Sequence, residues 1–304
     1  DVTGLSQILT GWTYPTAPGA TAKNNNPAYY LGQMFSVDAE HDKSAKTIYG
    51  NVTVPAGQTA PEDLESLLDA LMAQPTMAPF ISQQLIEHLV TSNPSPAYIQ
   101  RISTVFTDDG TGVRGNLQAV IKAILMDPEA RAGDIPSSTE AVSFGHMREP
   151  ILFMTSVLRG LNATVDATST ISGDTSEMGE NLFNAPSVFS YFSPQSRTEF
   201  GLVGPEFQIY STQTAADRVN LVSSILYGTK AKGFTINLAP FTTQATANTT
   251  TLLNYISSIF LHGEMSAAMT EAATAAVDAE SSAAAKAQAA LYVVLTSGEY
   301  QIIQ

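Results

Sequence analysis

The stretch Phe35–Gly50, FSVDAEHDKSAKTIYG, gathers acids, a histidine and two lysines between aromatic residues in a chain otherwise poor in charge. Asp38, Glu40, His41 and Asp42 supply one nitrogen and several oxygens, the donor set of a divalent cation, and a loop lets such side chains converge where a strand would alternate them. In a hydrolytic reading His41 and Asp42 act as ligand or base, and Lys46 or Arg114 steadies developing negative charge. Glu206 lies in the loop Gly201–Gln208 between Phe200 and Phe207 and is a candidate acid. In the competing reading His41 and Asp42 hydrogen-bond a long loop to the helices while Lys46 snorkels to water.

Other chemistry-bearing residues have ordinary explanations beside functional ones. Asp108-Asp109-Gly110-Thr111-Gly112 suggests calcium but lacks the alternating ligands and distal Glu of a helix-loop-helix site, and reads equally as a turn that Gly115-Asn116 leaves. Arg114 could clamp a carboxylate or a sugar, or tie that turn to a neighbour. Glu149 before Pro150 suits a helix N-terminus, with Arg148 pairing to it, to Asp127 or to Glu129. His88 and His262 read as structural. Tyr14, Tyr29, Tyr30, Phe189, Tyr191 and Phe192 would suit carbohydrate stacking as well as packing.

Composition narrows the classes. Acids outnumber bases 28 to 14, and no basic cluster is denser than Lys43/Lys46 or Lys230/Lys232, so nucleic acid is not an expected partner. Charged residues make up 14%, against about 25% in an average soluble protein. Polar surface must then come from Ser, Thr, Asn and Gln, a composition suited to a secreted or envelope protein. The absence of cysteine removes disulfides, thiol nucleophiles and thiolate metal sites. No apolar run approaches the roughly 18 residues of a transmembrane helix. No G-x-S-x-G, H-E-x-x-H, Walker or dinucleotide loop occurs. The start at Asp1 without Met reads as a processed product or a piece of a longer chain.

The elements that must position these residues are mostly helices. A short helix over Val2–Leu9 precedes an irregular stretch, Thr13–Lys46, with a short strand within Ala28–Val37. Thr59-Ala60-Pro61-Glu62 opens a helix to about Gln74 with Leu64, Leu67, Leu68 and Leu71 on its apolar face. Helical spacing continues over Met77–Val90, Pro96–Phe106, Leu117–Met126 and the apolar Glu149–Leu161. Asn162–Asp174 reads as an exposed loop, Ala215–Tyr227 as a helix and Phe234–Phe241 as a strand, followed by the polar, Thr-rich stretch Thr242–Thr251. Leu252–Leu261, Ser266–Ala276 and Ala283–Thr296 close the chain, and the alanine tract Ala272–Ala290 predicts a slim, partly exposed hairpin. The expected class is mainly α: one irregular multi-helix array over 1–304, with long polar loops and at most a few short strands. Its parts are a helix and loop (1–58), a helical core (59–161), a loop-rich insert with one helix (162–251) and C-terminal helices (252–304).

Four segments, Asp1–Trp12 (DVTGLSQILTGW), Phe35–Gly50, Phe106–Arg131 and Met178–Phe192 (MGENLFNAPSVFSYF), resemble the bacterial family catalogued as domain of unknown function number 1800. His41, Asp42, Lys46, Thr47 and Gly50 match the family's pattern, whereas Ser44 stands where relatives carry glycine. The resemblance implies a secreted bacterial protein of which this chain is the C-terminal half, encoded beside a sulfatase-like exported family. Such a half would expose a face covered by an upstream segment, another chain or a second copy. Two functions follow as expectations. One is a non-catalytic binding or assembly component at the envelope or outside the cell, with a protein or a carbohydrate as partner. The other is a metal- or carboxylate-dependent hydrolase of an extracellular polymer such as a polysaccharide. Convergence of the Asp38–Lys46 loop, Arg114 and Glu206 on one pocket would favour the enzyme.

Overall fold

Helix α1 (Val2–Ile8) lays Ile8 against Ile48, Val54, Leu67 and Ala70, and this small apolar cluster organises the N-terminal part of the chain. The computed structural model describes residues 1–132, 144–228 and 233–303. Lys230 and Lys232 lie outside the described residues. The protein is mainly α and packs as two compact units, Asp1–Ser82 with Ser103–Leu117, and Gln83–Ile102 with Gln118–Gln304.

In the first unit β1 (Trp12–Thr13) pairs antiparallel with β2 (Phe35–Ser36), and β3 (Lys46–Ile48) with β4 (Val52–Val54). The short strand expected within Ala28–Val37 is therefore β2. Helix α2 (Ala60–Ala73) starts where its capping residues predict: the Glu62 carboxylate accepts from Thr59 N at 2.8 Å and from Thr59 Oγ1 at 2.9 Å. Its buried face is Ala60, Asp63, Leu67 and Ala70, so a carboxyl sits in the middle of the stripe that meets the core. Helices α3 (Met77–Leu89) and α4 (Pro96–Thr107), whose residues are divided between the two units, follow the expected periodicity, as does α5 (Leu117–Met126), which belongs to the second unit from Gln118 on, and there Pro128 starts a further short helix, α6 (Pro128–Ala132).

The second unit holds the larger core. Strand β5 (His146–Met147) leads into α7 (Pro150–Gly160), β6 (Thr164–Val165), α8 (Ile171–Glu177) and α9 (Thr212–Tyr227). Strand β7 (Phe234–Thr235) pairs with β6, and after it come α10 (Ala239–Ala247), α11 (Thr249–Phe260), α12 (Ala267–Asp278), α13 (Ala283–Leu295), α14 (Gly298–Gln301) and β8 (Ile302–Ile303). Strand β8 returns to pair antiparallel with β5, His146 opposite Ile303.

Three expectations are corrected here. Asn162–Asp174 is not simply a loop, since it contains β6 and the start of α8. Phe234–Phe241 is strand for two residues only, because Pro240 suits the first turn of α10. Thr242–Thr251 is helical, so the region 162–251 holds more than the one expected helix: Thr242, Thr243 and Thr246 return their hydroxyls to the carbonyls of Leu238, Ala239 and Thr242 at 2.9–3.0 Å, and Asn248 caps α11 by accepting from Thr251 N at 2.8 Å. The alanine tract forms the expected partly exposed hairpin, α12 with α13: Ala272, Ala275 and Ala279 face solvent, while Ala273, Ala287 and Ala290 are buried on its inner face, where side chains of one carbon let neighbouring helices approach closely.

Around α7 the fit is equally close. A Cβ on Gly160 would stand 2.2 Å from the Phe260 ring, so only glycine lets that ring lie on the α7 backbone. Phe260 in turn meets Tyr300 edge to face at 5.7 Å and Phe241 at 6.2 Å.

Candidate functional site

The residues singled out around His41 form a lock inside the first unit. His41 Nε2 stands 3.1 Å from Asp63 Oδ2, and Lys46 Nζ reaches the same oxygen at 2.6 Å. Lys46 also donates to the carbonyls of Asp42 and, at 3.1 Å, Ser44. Lys46 is buried, which corrects the snorkelling expectation: its ammonium points inward to a carboxylate. On its other side the His41 ring sits 3.0 Å from the Thr10 carbonyl, and Thr10 Oγ1 accepts from Asp42 N at 2.8 Å. Asp63 was missed in the sequence, although a carboxyl on the stripe shared with Leu67 and Ala70 is the signal that could have found it.

The proposed cation ligands disperse. Asp38 pairs with Lys43 at 2.6 Å, Glu40 accepts from Asn24 at 2.9 Å, and Asp42 accepts from Ser44 N at 2.8 Å and Gln7 Nε2 at 3.0 Å. Among the described residues no group of three or more His, Asp or Glu is arranged to hold a metal ion. The Ser44 hydroxyl and amide hold the Asp42 carboxyl down to about 2. Arg114 donates to the Met72 carbonyl at 2.7 Å and the Gln74 carbonyl at 3.3 Å, tying the turn to the C-terminal end of α2. Asp108 accepts from the amides of Gly110 and Gly112, and Asp109 from Thr111 N and Asn116 Nδ2, so this acidic pair builds a turn. Each of these side chains is satisfied by its own neighbours. Glu206 belongs to the second unit.

There Glu206 does line a cavity. Glu87 and His88 from the end of α3, Glu149 at the start of α7, Glu206 from a 3₁₀ turn (Pro205–Ile209), and Phe189 and Phe192 surround a space of about 270 Å³. The N-terminal amide of Ile151 is taken by Glu180 Oε2 at 2.8 Å, not by Glu149, whose carboxyl therefore faces the cavity and not its own helix. Arg148 pairs with none of the expected acids: it donates to the Tyr300 carbonyl at 2.7 Å and lies 4.7 Å above that ring, while Asp127 takes a two-pronged contact from Arg101 at 2.7 Å. His262, just past α11, takes the left-handed φ of 54°.

His146 borders the other side of Glu206, with Nδ1 3.5 Å from Oε1. His146 Nδ1 and Glu206 Oε2 are both buried without a hydrogen-bond partner. Gly145 sets His146 in place: its φ is +89°, and a Cβ there would fall 2.1 Å from the Ile303 carbonyl. A second groove, of about 640 Å³, opens past His146 among Met147, Phe200, Leu202, Phe207 and Ile302.

Burial raises the carboxyls of Glu87, Glu149 and Glu180 above their ordinary value of 4.5, and the nearby Glu206 adds to the rise at Glu87 and Glu149. A folded state that holds these protons longer than the unfolded chain loses stability as pH rises from 4.5 through the raised values. Asp42 works in the opposite sense, its contribution being lost as pH falls below 3.8 towards about 2. Thermal melts between about pH 5 and pH 7 should therefore show a decline that Glu149→Gln partly removes; an unchanged slope in that variant would show that Glu149 is not desolvated.

These features define a mainly α protein with a structural polar lock in one unit and an acidic, aromatic-walled cavity in the other. The chain belongs to the family described as protein of unknown function (DUF1800), whose model matches residues 1–302. The match runs over essentially the whole chain. No curated protein and no solved structure matches it.

Proposed function

We propose that the protein is a non-catalytic binding component acting at the cell envelope or outside the cell, and that it engages a partner chain through the irregular stretch 183–207 of its second unit. The observation that carries this reading is the exposure of large apolar side chains there: Phe183 is 99% exposed, Val188 95%, Phe189 65% and Phe200 83%. Four large apolar side chains so bare within one short stretch of chain support an interaction surface there. The low charge of the chain supports a place outside the cytoplasm, and the burial of His41 and Lys46 against Asp63, with Arg114 tied to the Met72 and Gln74 carbonyls, favours structural use of these residues over a hydrolytic one.

Native mass spectrometry of the protein from its native source tests the proposal. A stoichiometric partner retained by the wild type and lost from the double variant Phe183→Ser/Phe200→Ser is the expected result; a lone chain in both would end it. One observation favours a hydrolase as a second reading. Glu149, raised by burial beside Glu206, is a carboxyl able to keep and donate a proton. Release of reducing ends from a polysaccharide panel, abolished in Glu149→Gln, would establish that reading instead.

A further inference from the structure

We infer that the groove of about 640 Å³ beside His146 is a binding site for an apolar small molecule that carries a hydroxyl or phenol group, its hydrocarbon body against the walls and its O–H donated to His146 Nε2. This site goes beyond partner binding and does not depend on it. Phe144, Met147, Phe200, Leu202, Phe207 and Ile302 give the groove an apolar lining, and its size is that of pockets that bury a drug-sized ligand, roughly 300–1,000 Å³. One wall, the turn that brings Arg197 opposite Val203, is fixed in advance. Asn93 Nδ2 donates to the Val203 carbonyl at 2.8 Å while Asn93 Oδ1 accepts from Val203 N at 2.9 Å, and Arg197 closes the tip by donating to the Gly201 carbonyl at 2.6 Å.

His146 is the polar side chain left over. Asn93, Arg197 and Gln208 also line the groove, but each is engaged with backbone, Gln208 Oε1 by accepting from Ser193 N at 2.7 Å. The His146 imidazole is held in a residue only 8% exposed and makes no hydrogen bond among the described residues. Its Nδ1 is buried 3.5 Å from Glu206 Oε1, so the opposite edge of the ring, with Nε2, is turned to the groove that His146 lines. A carboxyl beside Nδ1 favours the tautomer with the proton there and leaves Nε2 as a lone-pair acceptor. Between apolar walls that acceptor is poorly solvated, and an O–H from a bound ligand supplies the donor it lacks. The surroundings select a neutral donor. An anionic head would approach Glu206 behind the ring in a chain of net charge −14, and an ammonium would give up its hydration for a single neutral acceptor.

Calorimetric titration of the whole protein with 4-butylphenol, and with 4-butylanisole, which keeps the ring and chain but has no O–H, tests the assignment. The phenol should bind saturably at one equivalent and about tenfold more tightly than the anisole, the worth of one hydrogen bond, and His146→Leu should bring the two to equal affinity. Leu202→Trp, which fills the groove from its rim, should abolish binding of both, and it takes the place of His146→Leu if that variant does not melt as the wild type does. Absence of saturable binding, equal affinities in the wild type, a phenol preference that survives in His146→Leu, undiminished binding to Leu202→Trp, or tighter binding of 4-butylbenzoate or 4-butylbenzylamine would each overturn it. The titration needs no partner chain, so its failure leaves the partner reading untouched, and failure of a partner to co-purify leaves this site standing.

Discussion

Asp63→Ala is expected to destabilise the protein by about 3–5 kcal/mol, the range for removing one member of a buried ion pair. The size follows from what remains behind. Asp63 and Lys46 are buried, and Lys46 would keep only carbonyl partners at Asp42 and Ser44 for a charge that water cannot reach. His41 loses its Nε2 partner in the same substitution and keeps only the Thr10 contacts at Nδ1. Replacing both sides of the pair, as in Asp63→Leu with Lys46→Met, should recover much of the loss, since apolar groups of similar volume carry no desolvation cost. Urea denaturation of the single and double variants measures both. Should Asp63→Ala unfold at the wild-type midpoint, the lock does not hold the 38–46 loop. The same geometry predicts that His41→Ala with Asp42→Ala lowers the melting temperature, which a site serving chemistry alone would not do.

Phe260→Ala carries a loss of similar size, about 3–5 kcal/mol. Its ring touches the α7 backbone at Gly160 and the rings of Tyr300 and Phe241, three neighbours fixed by separate helices. None can move inward without leaving its own contacts, so the cavity stays open and the full cavity cost is felt. Phe260→Leu should cost visibly less, and Gly160→Ala should be tolerated better on that background than in the wild type, because the ring that the new Cβ would strike is gone. Equal costs for Phe260→Ala and Phe260→Leu would mean that the core repacks freely.

Much of the helical architecture was legible in local pattern. Periodic apolar residues and capping signals placed α2 to α5 and α7 within a few residues, because helix periodicity and end chemistry are written over consecutive positions. The threonine-rich stretch before α11 was misread, since hydroxyls that favour turns can also bond back along a helix. The alanine tract folds as the expected partly exposed hairpin, but which of its alanines turn inward depends on what packs over them.

The family membership and the mainly α class were determined by the sequence alone, through four matching segments and their spacing. Which side chains work together was decided only in three dimensions. His41 meets Asp63 across 22 positions, and Glu206 faces Glu149 and Glu87 from far along the chain. A carboxyl reads the same in sequence whether it answers a lysine or lines an acidic cavity. The difference lies in the dielectric and in the donors around it, and those are assembled only when the chain folds.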